Sequence, residues 1–123
     1  MNLIFLKELA AFLAAKGFGV VSTSIFIESM PSTPEDMIGL YISGGSVAGS
    51  KTADTLRIQV LVRGNTLSAT LVRAQAIWDV LSESAGDLPT KARITADGQP
   101  GTKFRDSNEL VVFSLDFTAF VPR

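Results

Sequence analysis

The side chains able to do chemistry in this chain are few in kind. Neither cysteine nor histidine occurs among its 123 residues. Disulfides, thiol nucleophiles, Ser-His-Asp systems, imidazole proton shuttles and zinc sites built on nitrogen and sulfur are therefore excluded. The lack of cysteine also fits a reducing compartment. What remains is carboxylates, amines, hydroxyls, one tyrosine (Tyr41) and one tryptophan (Trp78). Glu28, Glu35 and Asp36 could be gathered for a metal, but they straddle a Pro-rich turn with no further ligand in view. Gly44, Gly45, Gly49, Ser50, Lys51 and Thr52 resemble a scrambled phosphate loop. In that motif lysine follows directly on the second glycine and a helix comes next, because backbone N–H groups must cradle the phosphates. Here Ser50 intervenes and a strand follows, so a flexible hairpin loop is the expectation. No catalytic residue, cofactor or metal ligand is assigned, and the chain is not expected to be an enzyme.

A third polar set, Arg57, Gln59 and Arg63, has regular spacing, and its meaning comes from the element that carries it. In Leu56 to Gly64 (LRIQVLVRG) the residues Leu56, Ile58, Val60 and Val62 alternate with Arg57, Gln59, Leu61 and Arg63. A period of two turns one face to a core and the other outward, which predicts a strand. Asn65 to Leu81 follows, with Leu67, Leu71, Ala74, Trp78 and Leu81 at spacings of three and four. That stripe predicts a helix, with Asn65 or Thr66 capping its first turn.

The rest of the chain supplies partners for this pair. Leu3 to Leu13 reads as a first amphipathic helix ending at Gly17; Lys7 and Glu8 inside its apolar stretch argue against a secretory signal. Phe18 to Ile27 is β-branched and aromatic, and Ile38, Leu40 and Ile42 alternate, so two strands forming a hairpin are expected across Met30 to Glu35, where Pro31 and Pro34 break the pattern. Ser43 to Asp54 is rich in Gly, Ser, Ala and Thr, with little to bury, and is expected to be a mobile loop. After the second helix, ended by Ser84 to Pro89, Lys91 to Ala96 is a short strand and Asp97-Gly98 with Pro100-Gly101 is turn material. Thr102 to Arg105 then continues a hairpin, Asp106-Ser107-Asn108 turns again, and Glu109 to Val121 is a long closing strand.

With 46% hydrophobic residues including eight Phe, the chain has ample material for one core, and no repeat or linker divides it. The expected fold class is α+β: a single domain over residues 1–123, with a mostly antiparallel or mixed sheet and two helices packed mainly on one face. Eleven basic and twelve acidic residues are spread without runs of one sign, so no basic stripe for nucleic acid is visible. The apolar runs are too short to span a bilayer, and no membrane contact is expected.

Several of these patterns occur together in a known family. Pro31-x-x-Pro34, Ile38-x-Leu40, Gly44-Gly45 and Leu56-x-Ile58-Gln59-Val60-x-Val62-Arg63-Gly64 precede a helix with Ala69, Ala76 and Leu81. Arg105-Asp106-Ser107-Asn108 then leads to Val111 through Phe117, where Phe and polar residues alternate. This arrangement resembles the minor capsid or tail terminator family of tailed bacteriophages. The resemblance implies a virion protein of the tail-neck region, assembled in the host cytoplasm. It implies a homohexameric ring capping the head-proximal end of the tail tube, whose partners are other copies of itself, the tail-tube protein and a head completion or connector protein. Such a ring matches the last tube ring on one face and differs on the other, which leaves no site for another tube subunit. A stopper or head completion protein is the nearest alternative; an adaptor or ligand-binding module outside phages is another.

Candidate contact residues for such assembly are Arg57, Gln59 and Arg63, together with Gly44, Gly45, Val47, Lys51 and Asp54 in the loop, and Asp116 and Phe120 on the closing strand. The three on the strand either pair with acids of a neighbouring protomer or form a solvated sheet face. The loop either orders against a neighbouring ring or stays idle. Leu61, Leu110, Val112 and Phe120 also fall on outer faces, to be covered by helices or by partners.

Overall fold

The computed structural model describes residues 2–29, 31, 36–46, 53–82, 93–96, 103–105 and 110–122. Two helices, α1 (Asn2–Ala15) and α2 (Leu67–Ser82), accompany six strands: β1 (Ile25–Ile27), β2 (Met37–Ser46), β3 (Ala53–Gly64), β4 (Arg93–Ala96), β5 (Lys103–Arg105) and β6 (Val111–Pro122). The strands form one mixed sheet in the order β1-β2-β3-β6-β4, with β5 also on β6. The fold is α+β, as the patterning implies.

The centre of the sheet is the long antiparallel pair β3 and β6, in register from Ala53 opposite Pro122 to Gly64 opposite Val111. Because the side-chain period is two, that register decides both faces at once. Leu56, Ile58, Val60 and Val62 lie opposite Ala119, Phe117, Leu115 and Phe113, and all eight are buried. Ile38 and Leu40 of β2 and Ile25 of β1 extend the same face. Against it pack Phe5, Leu6, Leu9, Ala10 and Leu13 of α1 and Ala74, Ile77 and Leu81 of α2, in one hydrophobic cluster. Both helices therefore cover one face, α1 over β1 and β2 and α2 over β3, β6 and β4.

The helix ends follow local rules. Gly17 closes α1 with φ 88°, while Gly17 N–H bonds the Ala14 carbonyl and Phe18 N–H bonds the Leu13 carbonyl. Those two bonds satisfy carbonyls that have no partner within the helix, and the left-handed residue they require costs least at glycine. At α2 the Thr66 carbonyl accepts the first helical bond, from Thr70 N–H, which places Thr66 at the N-cap.

Several expectations are corrected. β1 and β2 do not form a hairpin; they pair in parallel. Arg63 holds the Pro31 carbonyl at 2.6 Å, and Arg63 is the register partner of Met37, where β2 begins. The chain thus travels back to the starting end of the sheet before β2 sets out. Nor does the expected strand Phe18 to Ile27 persist over its length. The Val20 carbonyl accepts N–H groups from Thr23, Ser24 and Ile25, Ser22 sits at φ 68°, and only Ile25–Ile27 is strand. A tight turn overrides β propensity there. Gly19 allows the turn to close, since a Cβ on it would lie 2.5 Å from Ser24 Oγ.

At the opposite edge the hairpin expected between Lys91 to Ala96 and Thr102 to Arg105 is absent. β4 and β5 both pair antiparallel with β6, at Phe117–Phe120 and Val111–Phe113 respectively. β3 occupies the whole other side of β6, so the two short strands share one edge as an interrupted strand. β2 runs on through Gly44 and Gly45 to Ser46, opposite Thr55, with a register shift between Ile42 and Gly44. Pairing thus enters the Gly/Ser-rich segment from both sides; its middle, with Val47 and Lys51, lies outside the described residues.

The buried stripe of α2 is Thr70, Ala74, Ile77 and Leu81. Leu67 and Leu71 of the expected stripe are 43% exposed, and Trp78 is half-buried against the core. The helix is rotated from the expected face by roughly half of one residue's 100° step. Thr70 takes the inner place with its hydroxyl bonded to the Thr66 carbonyl at 2.6 Å, in space that a side chain on Gly64 would otherwise take.

Candidate assembly surface and family

With both helices on one side, the other face of the sheet carries no described helix. Its rows follow from register: Arg57 opposite Thr118, Gln59 opposite both Tyr41 and Asp116, Leu61 opposite Gly39 and Ser114, and Arg63 opposite Met37 and Val112. Arg57 and Asp116 are exposed, and Phe120, opposite Thr55 and Arg93, is 45% exposed. Gln59 Nε2 donates to Ser114 Oγ at 3.1 Å, tying β3 to β6 across this face. Alternation alone places Arg57, Gln59, Asp116 and Phe120 together.

Arg63 shares the face but not the exposure. It is 4% exposed, opposite the buried Met37 and Val112, so this end of the outer face is covered within the chain. Leu61 is half-buried. Gly44 and Gly45 lie in β2 opposite Arg57 and Leu56, and Asp54 in β3 opposite Val121. Sequence reasoning missed the burial of Arg63, because nothing in a period of two announces a carbonyl from a distant turn.

Tyr41 sits between two charged groups of this face. Burial raises its phenol pKa above the usual 10.0, Glu28 adds to the rise, and Arg63 opposes it. Glu28 is committed elsewhere: it ends β1 at φ 57°, its N–H donates to the Leu40 carbonyl, and its Oε1 accepts Ile42 N–H at 2.9 Å. The carboxylate thus serves a strand edge where β1 stops. Asp36 lies near Arg73, Glu35 is outside the described residues, and no cluster of three acidic residues that could hold a metal occurs among those described.

Where β3 passes into α2 there is an open cavity of about 410 Å³. Arg63 and Arg73 line it together with Ser24, Asp36, Thr66 and Thr70. Arg73 donates to the Phe18 carbonyl at 3.0 Å, and burial lowers its pKa while Asp36 acts against the change. A separate exposed apolar set lies on α2, at Leu67, Leu71 and the 70%-exposed Val72. Val20 and Val21 are also exposed. No helix among the described residues is long and apolar enough to cross a membrane.

The described residues make a small α+β unit with both helices on one face of the sheet, and comparison with known proteins gives it a family. The family model for the bacteriophage tail terminator protein matches residues 12–121. The chain belongs to that family. Among solved structures, a chain from the virion of a native gene transfer agent (GTA) particle superposes with a TM-score of 0.58 at 17% identity, covering 94% of each chain. A second solved chain gives a TM-score of 0.50 at 12% identity, over 98% of this chain and 92% of its own. Both likenesses are of fold. No curated protein sequence matches this chain.

Proposed function

We propose that this protein is the tail terminator of a tailed phage or phage-like particle: a protomer that closes into a ring, a hexamer in our reading, on the head-proximal end of the tail tube. There it stops tube polymerisation and offers its far face to a head completion or connector protein. The observation that carries this is the tail terminator family match over residues 12–121. The sheet face bearing Arg57, Gln59, Asp116 and Phe120 supports it, since it presents both charge signs and an exposed aromatic ring where no helix among the described residues packs.

The mechanism is geometric and involves no bond making. Identical protomers meeting head to tail close into a ring when their rotation closes, and open into a filament when it does not. Closure occupies each lateral surface. A ring whose lower face copies the contacts of a tube ring binds the tube end, and an upper face of different side chains gives the next tube subunit nothing to match. In this reading Arg57 and Asp116 orient the contact through complementary charge, and Phe120 supplies apolar burial at its margin. Gly44, Gly45 and Asp54, with Val47 and Lys51 beyond the described residues, are the second contact region, toward the tube or connector.

Native mass spectrometry and negative-stain microscopy of the purified protein, alone and with its tail-tube protein, test the reading. Closed rings of one stoichiometry are expected. A monomer that forms no ring in either condition contradicts it.

A further inference from the structure

The cavity between β3 and α2 is not used by the reading above, and its lining has a definite chemistry. We propose that it binds a carboxylate presented by a protein neighbour, with Arg73 as the recognising group and Arg63 adding positive charge to the lining. The two guanidinium groups come from different elements, one from the end of the central strand and one from the second turn of the helix, and line the same space of about 410 Å³. Each is aimed by a bond to a backbone carbonyl, Arg63 to Pro31 and Arg73 to Phe18. A guanidinium carries five N–H donors in a rigid fork, so one bond to a carbonyl fixes direction and leaves Arg73 able to make a paired contact with a carboxylate.

Charge points the same way. The lining contains two formal positive charges and one negative, Asp36. Burial already disfavours the charged form of Arg73, and an incoming carboxylate would offset that cost. The hydroxyl groups of Ser24 and Thr66, also in the lining, suit an oxygen ligand. The volume falls in the lower part of the roughly 300–1,000 Å³ range of small-ligand pockets, enough for an acidic side chain or a chain terminus.

A protein carboxylate rather than a nucleic-acid phosphate follows from the rest of the molecule. Its formal net charge is −1 with no run of basic residues, and phosphate backbones are held by extended arrays of cations rather than by a single pocket. Only this choice of source rests on the assembly reading.

The test is a two-dimensional amide NMR titration of the protein with glutarate, with inorganic phosphate and duplex oligonucleotide as separate arms. Saturable shifts confined to Thr66 through Arg73 and the neighbourhood of Ser24 are expected with glutarate. Arg73→Gln should weaken glutarate binding about tenfold or more, the scale of a lost charge-assisted pair. Lys7→Gln, on the exposed side of α1, should change nothing. Arg73→Lys keeps the charge but not the fork and should fall between, which guards against a variant that merely misfolds. Glutarate without saturable effect, equal binding by Arg73→Gln, or binding only of phosphate or oligonucleotide would each overturn the proposal. Glutarate binding is read on the protein whether or not it forms a ring, so failure of the ring reading and failure of the pocket are separate results.

Discussion

Replacing Gly64 by alanine probes the joint between β3 and α2 directly. A Cβ at that position would collide with the hydroxyl oxygen of Thr70, lie 3.4 Å from its Cβ, and approach Asp36 Oδ1 to 3.1 Å. The hydroxyl cannot swing away cheaply, because it is bonded to the Thr66 carbonyl at 2.6 Å in the first turn of the helix. Forcing a methyl group into a packed site costs about 1–3 kcal/mol. Losing the hydroxyl's bond adds about 0.5–1.5 kcal/mol. Against these stands a gain of roughly 0.5–1 kcal/mol from replacing a strand glycine, whose unfolded state is the more disordered. The net expectation is a loss of about 2 kcal/mol in urea unfolding, with an unchanged dependence on denaturant. In a Thr70→Ala background the collision is gone and the tightest remaining contact is Asp36 Oδ1 at 3.1 Å, on an exposed side chain that can give by a few tenths of an ångström, so the same substitution should cost less than about 1 kcal/mol, a coupling that a double-mutant cycle measures. If Gly64→Ala costs the same in both backgrounds, the proposed collision is not what makes glycine necessary there.

Other perturbations reach the remaining parts of the account. Gly17→Ala meets no atom within 4 Å, so its cost is that of the left-handed backbone alone, about 1–2 kcal/mol in chemical denaturation. Tyr41 is the only tyrosine, so the phenolate absorbance near 295 nm reports it alone, and its midpoint should lie above the usual 10.0 and fall in Glu28→Gln. The unfolded phenol ionises first. The stability Tyr41 contributes is therefore complete below the unfolded pKa and is lost as pH rises through the folded one. Leu71→Gln and Val72→Gln change exposed positions and should shift unfolding by no more than about 0.5 kcal/mol; larger losses would place these side chains in the hydrophobic core.

How much of this was legible in the sequence depended on whether a pattern had one physical solution. Leu56 to Gly64 and Val111 to Phe117 alternate cleanly, and a period of two leaves a single choice of faces, so the central strands and their outward residues Arg57, Gln59 and Asp116 were readable. The face of α2 was less so. Its apolar set and its buried set share Ala74 and Leu81, and the choice of Thr70 over Leu67 and Leu71 came from a close approach to Gly64, a tertiary fact. The same holds for the parallel pairing of β1, which depends on where Arg63 holds Pro31. The cavity has no signature in the sequence, because Arg63 and Arg73 belong to different elements and no spacing rule joins a strand's outer face to a helix's flank.

Termination itself is the central claim, and tube growth measures it. Tail-tube protein seeded on preformed tube ends should stop lengthening at one end when this protein is added at saturation, with electron micrographs showing a cap there and the opposite end unaffected. Growth at both ends that continues unchanged, with no density added at either tip, would contradict the account.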